Sequence, residues 1–445
     1  MKIFLITGAL LSASMVSFAQ QPANDVTTPL HLLQPDYPVQ YGKTKPEDIK
    51  LVLDRVYNYL NQTTPAQLID KESGKTIELK KAGASSIFKP GDFRLISYEW
   101  GVTYTGMLLA GEVTGDKRYT DYTTDRLNFI TEVTSAYRPL YKSNPKITMP
   151  VHSVLAPGAL DDAGSMCAAM IKASRTGKIK ADIRPIIDNY INYIMTKEFR
   201  LKDGTLARNR PQPNTLWLDD LYMSLPALVQ MGKLTSDSKY YDEAVRQFNL
   251  FAGRMFNKDK DLYMHGWVQD MNPHPEFHWA RANGWALLTK IELLDALPEN
   301  HSGRAAILET LKDHIKGLAA LQHGTGFWHQ LLDKNDTYLE TSATAIYAYC
   351  IAHAINKGWI DVKAYGPMTL QAWNAVTTKV NETGQVEGTC VGTGMGFDPA
   401  FYYYRPVNKY AAHGYGPVLL AGAEMIRLLK SHPYEINDSS VQFIK

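Results

Sequence analysis

The chain has 445 residues, of which 47 are Lys or Arg and 45 are Asp or Glu, for a formal net charge of +2. That balance offers no basic surface to nucleic acid, and 45% apolar residues is too many for a disordered chain. Length alone suggests about three domains at roughly 150 residues each.

The first predicted element is a signal peptide. Met1-Lys2 is a short basic start, Ile3 to Phe18 is an apolar run, and Ser17-Phe18-Ala19 places small residues before Gln20. Cleavage is expected after Ala19, with export to the periplasm of a Gram-negative cell or otherwise to the exterior. No other stretch reaches 18 uninterrupted apolar residues, so no membrane span is expected. Residues 20–44 read as an N-terminal extension and 45–445 as one folded unit. Cys167, Cys350 and Cys390 are odd in number and far apart, which excludes a disulfide framework or a zinc motif.

From residue 45 onward the pattern is helical, broken at Gly, Pro, Asn and Asp. Two kinds of helix alternate. Residues 47–61, 119–135, 181–197, 237–256, 302–322 and 361–379 are amphipathic. Residues 98–113, 161–175, 219–231, 280–296, 341–356 and 415–430 are apolar nearly all round. A helix apolar on every side is buried, and an amphipathic one covers it. Glu99, Asp162, Asp219, Arg281, Glu340 and Tyr415 mark the starts of the buried set, which recur about every 60 residues. Six such repeats predict an all-α fold, an (α/α)6 barrel of six helical hairpins in one domain. An open helical solenoid is the alternative.

Polar and aromatic residues crowd the starts of the apolar helices. They read Tyr98-Glu-Trp100, Leu160-Asp-Asp-Ala-Gly164, Leu216-Trp-Leu-Asp-Asp-Leu221, Trp279-Ala-Arg-Ala-Asn-Gly-Trp285, Leu339-Glu-Thr-Ser342 and His413-Gly-Tyr-Gly416. For any single Asp, capping of the helix N-terminus is an equally good account. Six clusters meeting at one end of a closed ring predict a pocket of carboxylates, cations and indoles. Asp219 and Asp220 point about 100° apart on a helix, so only one of them faces that pocket. Pro226 is expected to kink the helix they begin. Arg281, between Trp279 and Trp285, is placed to clamp a carboxylate; a buried Arg–Asp pair is the structural alternative. His265, in Leu262-Tyr-Met-His-Gly-Trp267, lies in a loop between hairpins. There is no phosphate-binding Gly loop, no Gly-x-Ser-x-Gly elbow and no Cys-x-x-Cys pair.

Several of these motifs, together with Trp328-His-Gln-Leu-Leu-Asp333, Glu340-Thr-Ser-Ala-Thr-Ala345 and Gly414-Tyr-Gly-Pro-Val-Leu-Leu-Ala-Gly-Ala-Glu424, occur in an order that resembles the unsaturated rhamnogalacturonyl hydrolases of glycoside hydrolase family 105. The unsaturated glucuronyl hydrolases of family 88 are related. The resemblance spans roughly residues 45–430 and implies the same barrel. It implies a substrate left by polysaccharide lyases, an oligosaccharide ending in a 4,5-unsaturated uronic acid. An acid protonates C4 of that enol ether, water adds at C5, and the hemiketal opens to release the aglycone. By motif match Asp219 is the acid/base. Trp217, Asp162, Asp220, His265, Trp279, Arg281 and Trp285 match substrate-binding positions, and Arg208 and Arg210 lie near a basic contact. No cofactor, metal or protein partner is implied. Additional sequence at 62–97 and 380–412, the second including Gly388–Gly396 and Tyr402-Tyr-Tyr-Arg-Pro406, either shapes aglycone preference or closes the barrel. Unsaturated galacturonate on rhamnose is the expected sugar. Unsaturated glucuronate, an inverting hydrolase of saturated glycans that pairs Asp219 with Asp162 or Glu340, and a non-catalytic sugar binder are the alternatives.

Overall fold

The computed structural model describes residues 24, 26–29, 32–33, 42–437 and 440–444. The leader expected at residues 1–19 lies outside the described residues. Among the described residues twelve helices of nine or more residues carry the fold. In chain order they are α1 Pro46–Thr63, α2 Tyr98–Thr114, α3 Lys117–Ser143, α4 Leu160–Ser174, α5 Arg184–Asn192, α6 Leu225–Thr235, α7 Ser238–Met255, α8 Ala280–Ala296, α9 Arg304–Ala319, α10 Thr341–Asn356, α11 Val362–Thr377 and α12 Tyr415–Ser431.

The even-numbered helices are the apolar set, and they are buried: in α10 every residue from Thr341 to Ile355 is out of solvent. Each packs on the next, α2 on α4, α4 on α6, α6 on α8, α8 on α10 and α10 on α12. α12 then packs on α2, so the inner ring closes. The odd-numbered helices cover it, and α1 lies against α12 as the last outer partner. This is the closed (α/α)6 barrel, not the open solenoid.

Local chemistry sets the boundaries. Gly115, at φ 71°, ends α2 in the left-handed region, and Asp116 then caps α3 through the Arg118 N–H. Asp237 and Asp361 cap α7 and α11 in the same way. Two expectations are corrected. α3 continues past 135 to Ser143, carrying Pro139 within it. α6 begins at Leu225 rather than at Asp219, and Pro226 sits in its first turn instead of kinking it. Proline lacks an N–H and disfavours helical backbone before it, so it starts this helix. Asp219 and Asp220 belong to a separate 3-10 turn, Leu218–Leu221.

The polar bonds show that the inner helices run parallel. At their N-terminal ends Tyr98 bonds His413, Arg208 bridges Asp161 and Asp220, and Arg281 bonds Ser342. At their C-terminal ends Lys172 pairs with Glu292, Arg175 bonds Gln230, and His353 lies between Asp295 and Glu424. No helix among the described residues is long and apolar enough to cross a membrane.

Candidate active site

The site is assembled by a two-stranded ribbon at the N-terminal end of the ring. Thr215–Trp217 pairs antiparallel with Gly266–Val268, placing Trp217 opposite Gly266. The Leu218 N–H then donates to the His265 carbonyl at 2.9 Å. This brings two loops, remote in sequence, into register, so that His265 Nε2 lies 3.1 Å from Asp219 Oδ2. The other His265 nitrogen, Nδ1, lies 2.8 Å from the Tyr402 hydroxyl. The Trp279 ring lies against the imidazole, tilted by 52°, at 4.6 Å between ring centres. His265 is therefore buried, not the surface loop residue its position allows. Asp219 keeps partial exposure, 15% of its side chain. No hydrogen bond from the described residues reaches its Oδ1.

The neighbouring acids have other partners. Asp220 is fully buried and accepts from Arg208 Nε at 2.9 Å, with Nη2 at 2.5 Å. Arg208 also donates to both oxygens of Asp161, at 3.0 and 2.9 Å. Burial pushes the Asp220 carboxyl up to about 6, while the Arg208 charge pulls it down. At neutral pH the pair is ionic. Asp220, expected among the binding residues, is buried against Arg208 and locks the Asp219 turn to α4. Asp162 accepts from the Gly158 N–H at 2.9 Å, holding the loop that precedes α4. Glu340 accepts from Ser342, the Ala343 N–H and the Cys390 N–H, so it caps α10.

Arg281 is also corrected. It is fully buried over the Trp279 ring at 4.6 Å, and its fork donates to the carbonyls of Cys390 and Val391, both at 2.7 Å. It pins the Gly388–Gly396 loop rather than presenting a free clamp. Trp285 lies one turn deeper and stacks on Tyr222 at 5.2 Å, inside the core. Trp217 stays partly exposed, with Arg208 and Arg210 over its ring at 4.5 and 5.0 Å. Arg210 is 61% exposed and only loosely paired with Asp161, at 3.6 Å. Among the described residues, the buried Trp279 indole N–H has no hydrogen-bond partner.

The loop pinned by Arg281 crosses the mouth. Gly392 lies beside His413, and Gly394 beside Trp217. Next to it opens a cavity of about 820 Å³, walled by residues 88–97, 149–150, 152–153, 391–392, 408 and 410–413 together with Glu99. Asp219 is not part of that wall. Most of the wall comes from the two segments, 62–97 and 380–412, that exceed the hairpin repeat. Tyr402, Tyr98, His413 and Asp161 lay within the motifs read from the sequence but were assigned no individual role. Tyr402 stood in the Tyr402–Tyr404 aromatic run, and His413 at the start of the last inner helix, but neither carries a chemistry-specific spacing.

The profile of Glycosyl Hydrolase Family 88 matches residues 59–429. The unsaturated rhamnogalacturonyl hydrolase YesR of Bacillus subtilis is 28% identical over 244 residues, covering 54% of this chain and 69% of that protein. An unsaturated 3S-rhamnoglycuronyl hydrolase of Alteromonas sp. is 30% identical over 216 residues, 47% of this chain and 51% of that one. The crystal structure of a possible member of family 105 from Salmonella enterica superposes with a TM-score of 0.68 at 23% identity, covering 89% of this chain and 97% of that chain. That likeness establishes the fold, and the profile match establishes more: the chain belongs to glycosyl hydrolase family 88.

Proposed function

We propose that this enzyme removes a 4,5-unsaturated uronic acid from the non-reducing end of oligosaccharides produced by polysaccharide lyases, with unsaturated galacturonate on rhamnose as the preferred substrate. One observation carries the mechanism. Asp219 is held through Oδ2 by His265, while Oδ1 is left without a protein bond at the mouth of the ring. Oδ1 is the atom we assign to proton transfer. Asp219 gives its proton to C4, positive charge develops at C5 and the ring oxygen, and the carboxylate then accepts a proton from the water that adds at C5. The hemiketal opens and the aglycone leaves. Trp217 offers its partly exposed ring to the sugar, and buried Trp279 backs His265. Because Arg281 is engaged with loop carbonyls, exposed Arg210 is our candidate for the sugar carboxylate. The 820 Å³ cavity receives the rest of the oligosaccharide.

The family relatives support this reading, since one bears the name of an unsaturated rhamnogalacturonyl hydrolase. The geometry argues against Glu340 as the second carboxylate of an ordinary inverting hydrolase. That chemistry needs a second carboxylate facing Asp219 across a water. Glu340, one of the two candidates, is buried and bonded to Ser342 and two backbone N–H groups. The leader at residues 1–19 supports export, and a mature protein starting at Gln20 would show it.

A panel of lyase products, read by loss of the enol-ether absorbance, tests the substrate. We expect the unsaturated galacturonyl-rhamnose disaccharide to be consumed fastest. Faster turnover of an unsaturated glucuronyl product would transfer the assignment to that sugar. Failure on every unsaturated product would remove it.

A further inference from the structure

We infer that Tyr402 is a positioning residue for the reaction: its hydroxyl fixes the tautomer of His265 so that Nε2–H, and not a bare nitrogen, faces Asp219. The inference rests on the acid role proposed for Asp219.

The argument is a count of protons. Tyr402 is fully buried, and burial raises its phenol well above the ordinary range, so it stays protonated at working pH. Its oxygen accepts from the Gly396 N–H at 3.2 Å. Its single proton then has two acceptors in reach, His265 Nδ1 at 2.8 Å and the Gly396 carbonyl at 3.4 Å. The shorter contact is the real bond, because hydroxyl donors cluster well below 3.4 Å. Nδ1 is then an acceptor, so the neutral imidazole carries its proton on Nε2, 3.1 Å from Asp219 Oδ2. A fixed Nε2–H donor orients the carboxyl group and leaves Oδ1 as the oxygen that carries the catalytic proton.

The charged and titratable groups facing His265 are few. Asp219 and Tyr402 bond it directly. Arg281 lies behind Trp279, and Asp398 is the further acid beside Tyr402. Tyr402 reaches the site only because the long connection folds over the mouth. Asp398 caps the short helix Pro399–Tyr403, and Arg281 holds the preceding loop by two carbonyls. The 380–412 segment therefore contributes to the catalytic centre as well as to the cavity wall.

Removing the hydroxyl leaves Nδ1 without its donor, so nothing holds the His265 proton on Nε2. Tyr402→Phe, which keeps the ring, should lower kcat about 10- to 100-fold, the usual cost of losing such a supporting partner. It should leave KM within about 2-fold. In a His265→Gln background, where no tautomer exists, the same substitution should cost almost nothing further. An equal cost in both backgrounds would show that Tyr402 only packs. Nitrogen-15 spectra of histidine-labelled protein read the tautomer without substrate, with His265→Gln giving the assignment. A His265 signal with the proton on Nδ1 in the unsubstituted protein would overturn the inference. That readout does not depend on turnover, so it stands apart from any failure of the proposed reaction.

Discussion

Asp219 and Asp220 are adjacent and chemically identical, yet the fold gives them opposite tasks. Asp220 is sealed against Arg208, while Asp219 turns to His265 and the mouth. The sequence motif marked the pair, and the 100° rule predicted that only one faces the pocket. Which partners they take depends on Arg208 and Asp161, both outside the motif. Asp219→Asn should keep the fold and lower kcat by about 10²- to 10⁴-fold, the usual contribution of a general acid. Circular dichroism and absorbance decay on one preparation check both halves of that statement. Arg208→Met should act through stability. It leaves Asp220 buried and unpaired and should cost about 3–5 kcal/mol in urea unfolding. A loss below about 1 kcal/mol, the range of a surface pair, would mean that the bridge is not structural. Arg281 shows the limit of reading residues singly. Its two flanking indoles suggested a clamp, but a loop more than 100 positions away supplies its carbonyl partners.

At the scale of elements, the site depends on how closely α4 meets the catalytic turn. A Cβ on Gly164 would lie 1.7 Å from the Met223 carbonyl oxygen, so only glycine lets these segments touch. Gly164→Ala must push the Leu218–Leu221 turn outward. It should cost about 1–3 kcal/mol by overpacking and reduce activity beyond that loss, through displacement of Asp219. A variant of normal activity and stability would show that the two segments do not pack this closely. The helical periods were legible in the sequence, and most boundaries fall within a few residues of expectation. The 3-10 turn before α6 was not legible, because the apolar pattern runs unbroken through Pro226 and only the missing proline N–H resets the helix start. The short ribbons were equally hidden. Two or three residues are too few to show alternation, yet the pairing of Trp217 with Gly266 builds the site.

For the whole molecule, ring closure decides both function and stability. Parallel inner helices gather six N-termini at one end, where their dipoles favour an anionic sugar without any large net charge. The +2 balance is therefore sufficient, and local cations such as Arg210 complete the field. The opposite end gathers C-termini, and His353 joins Asp295 of α8 to Glu424 of α12 there. Burial alone would lower the His353 pKa, but its two carboxylate partners outweigh burial and raise it to about 9, above the ordinary 6.5. A raised folded-state pKa adds stability that is full below pH 6.5 and lost as pH rises through 9. The melting temperature should thus fall between those values, and His353→Gln should flatten that fall. An unchanged slope in the variant would remove His353 from this role. The ring and its mouth were foreseeable from a 60-residue period, and the 380–412 connection stood out as extra sequence, but its contacts over the mouth were not legible because it lies outside the repeat. The central claim is that Asp219 protonates an unsaturated sugar and that no second carboxylate attacks a saturated one. Its most direct test is a matched pair of disaccharides, identical except for the C4=C5 bond, incubated with the enzyme and with Asp219→Asn. The account predicts release of the aglycone from the unsaturated member alone, abolished in the variant; comparable cleavage of the saturated member would contradict it.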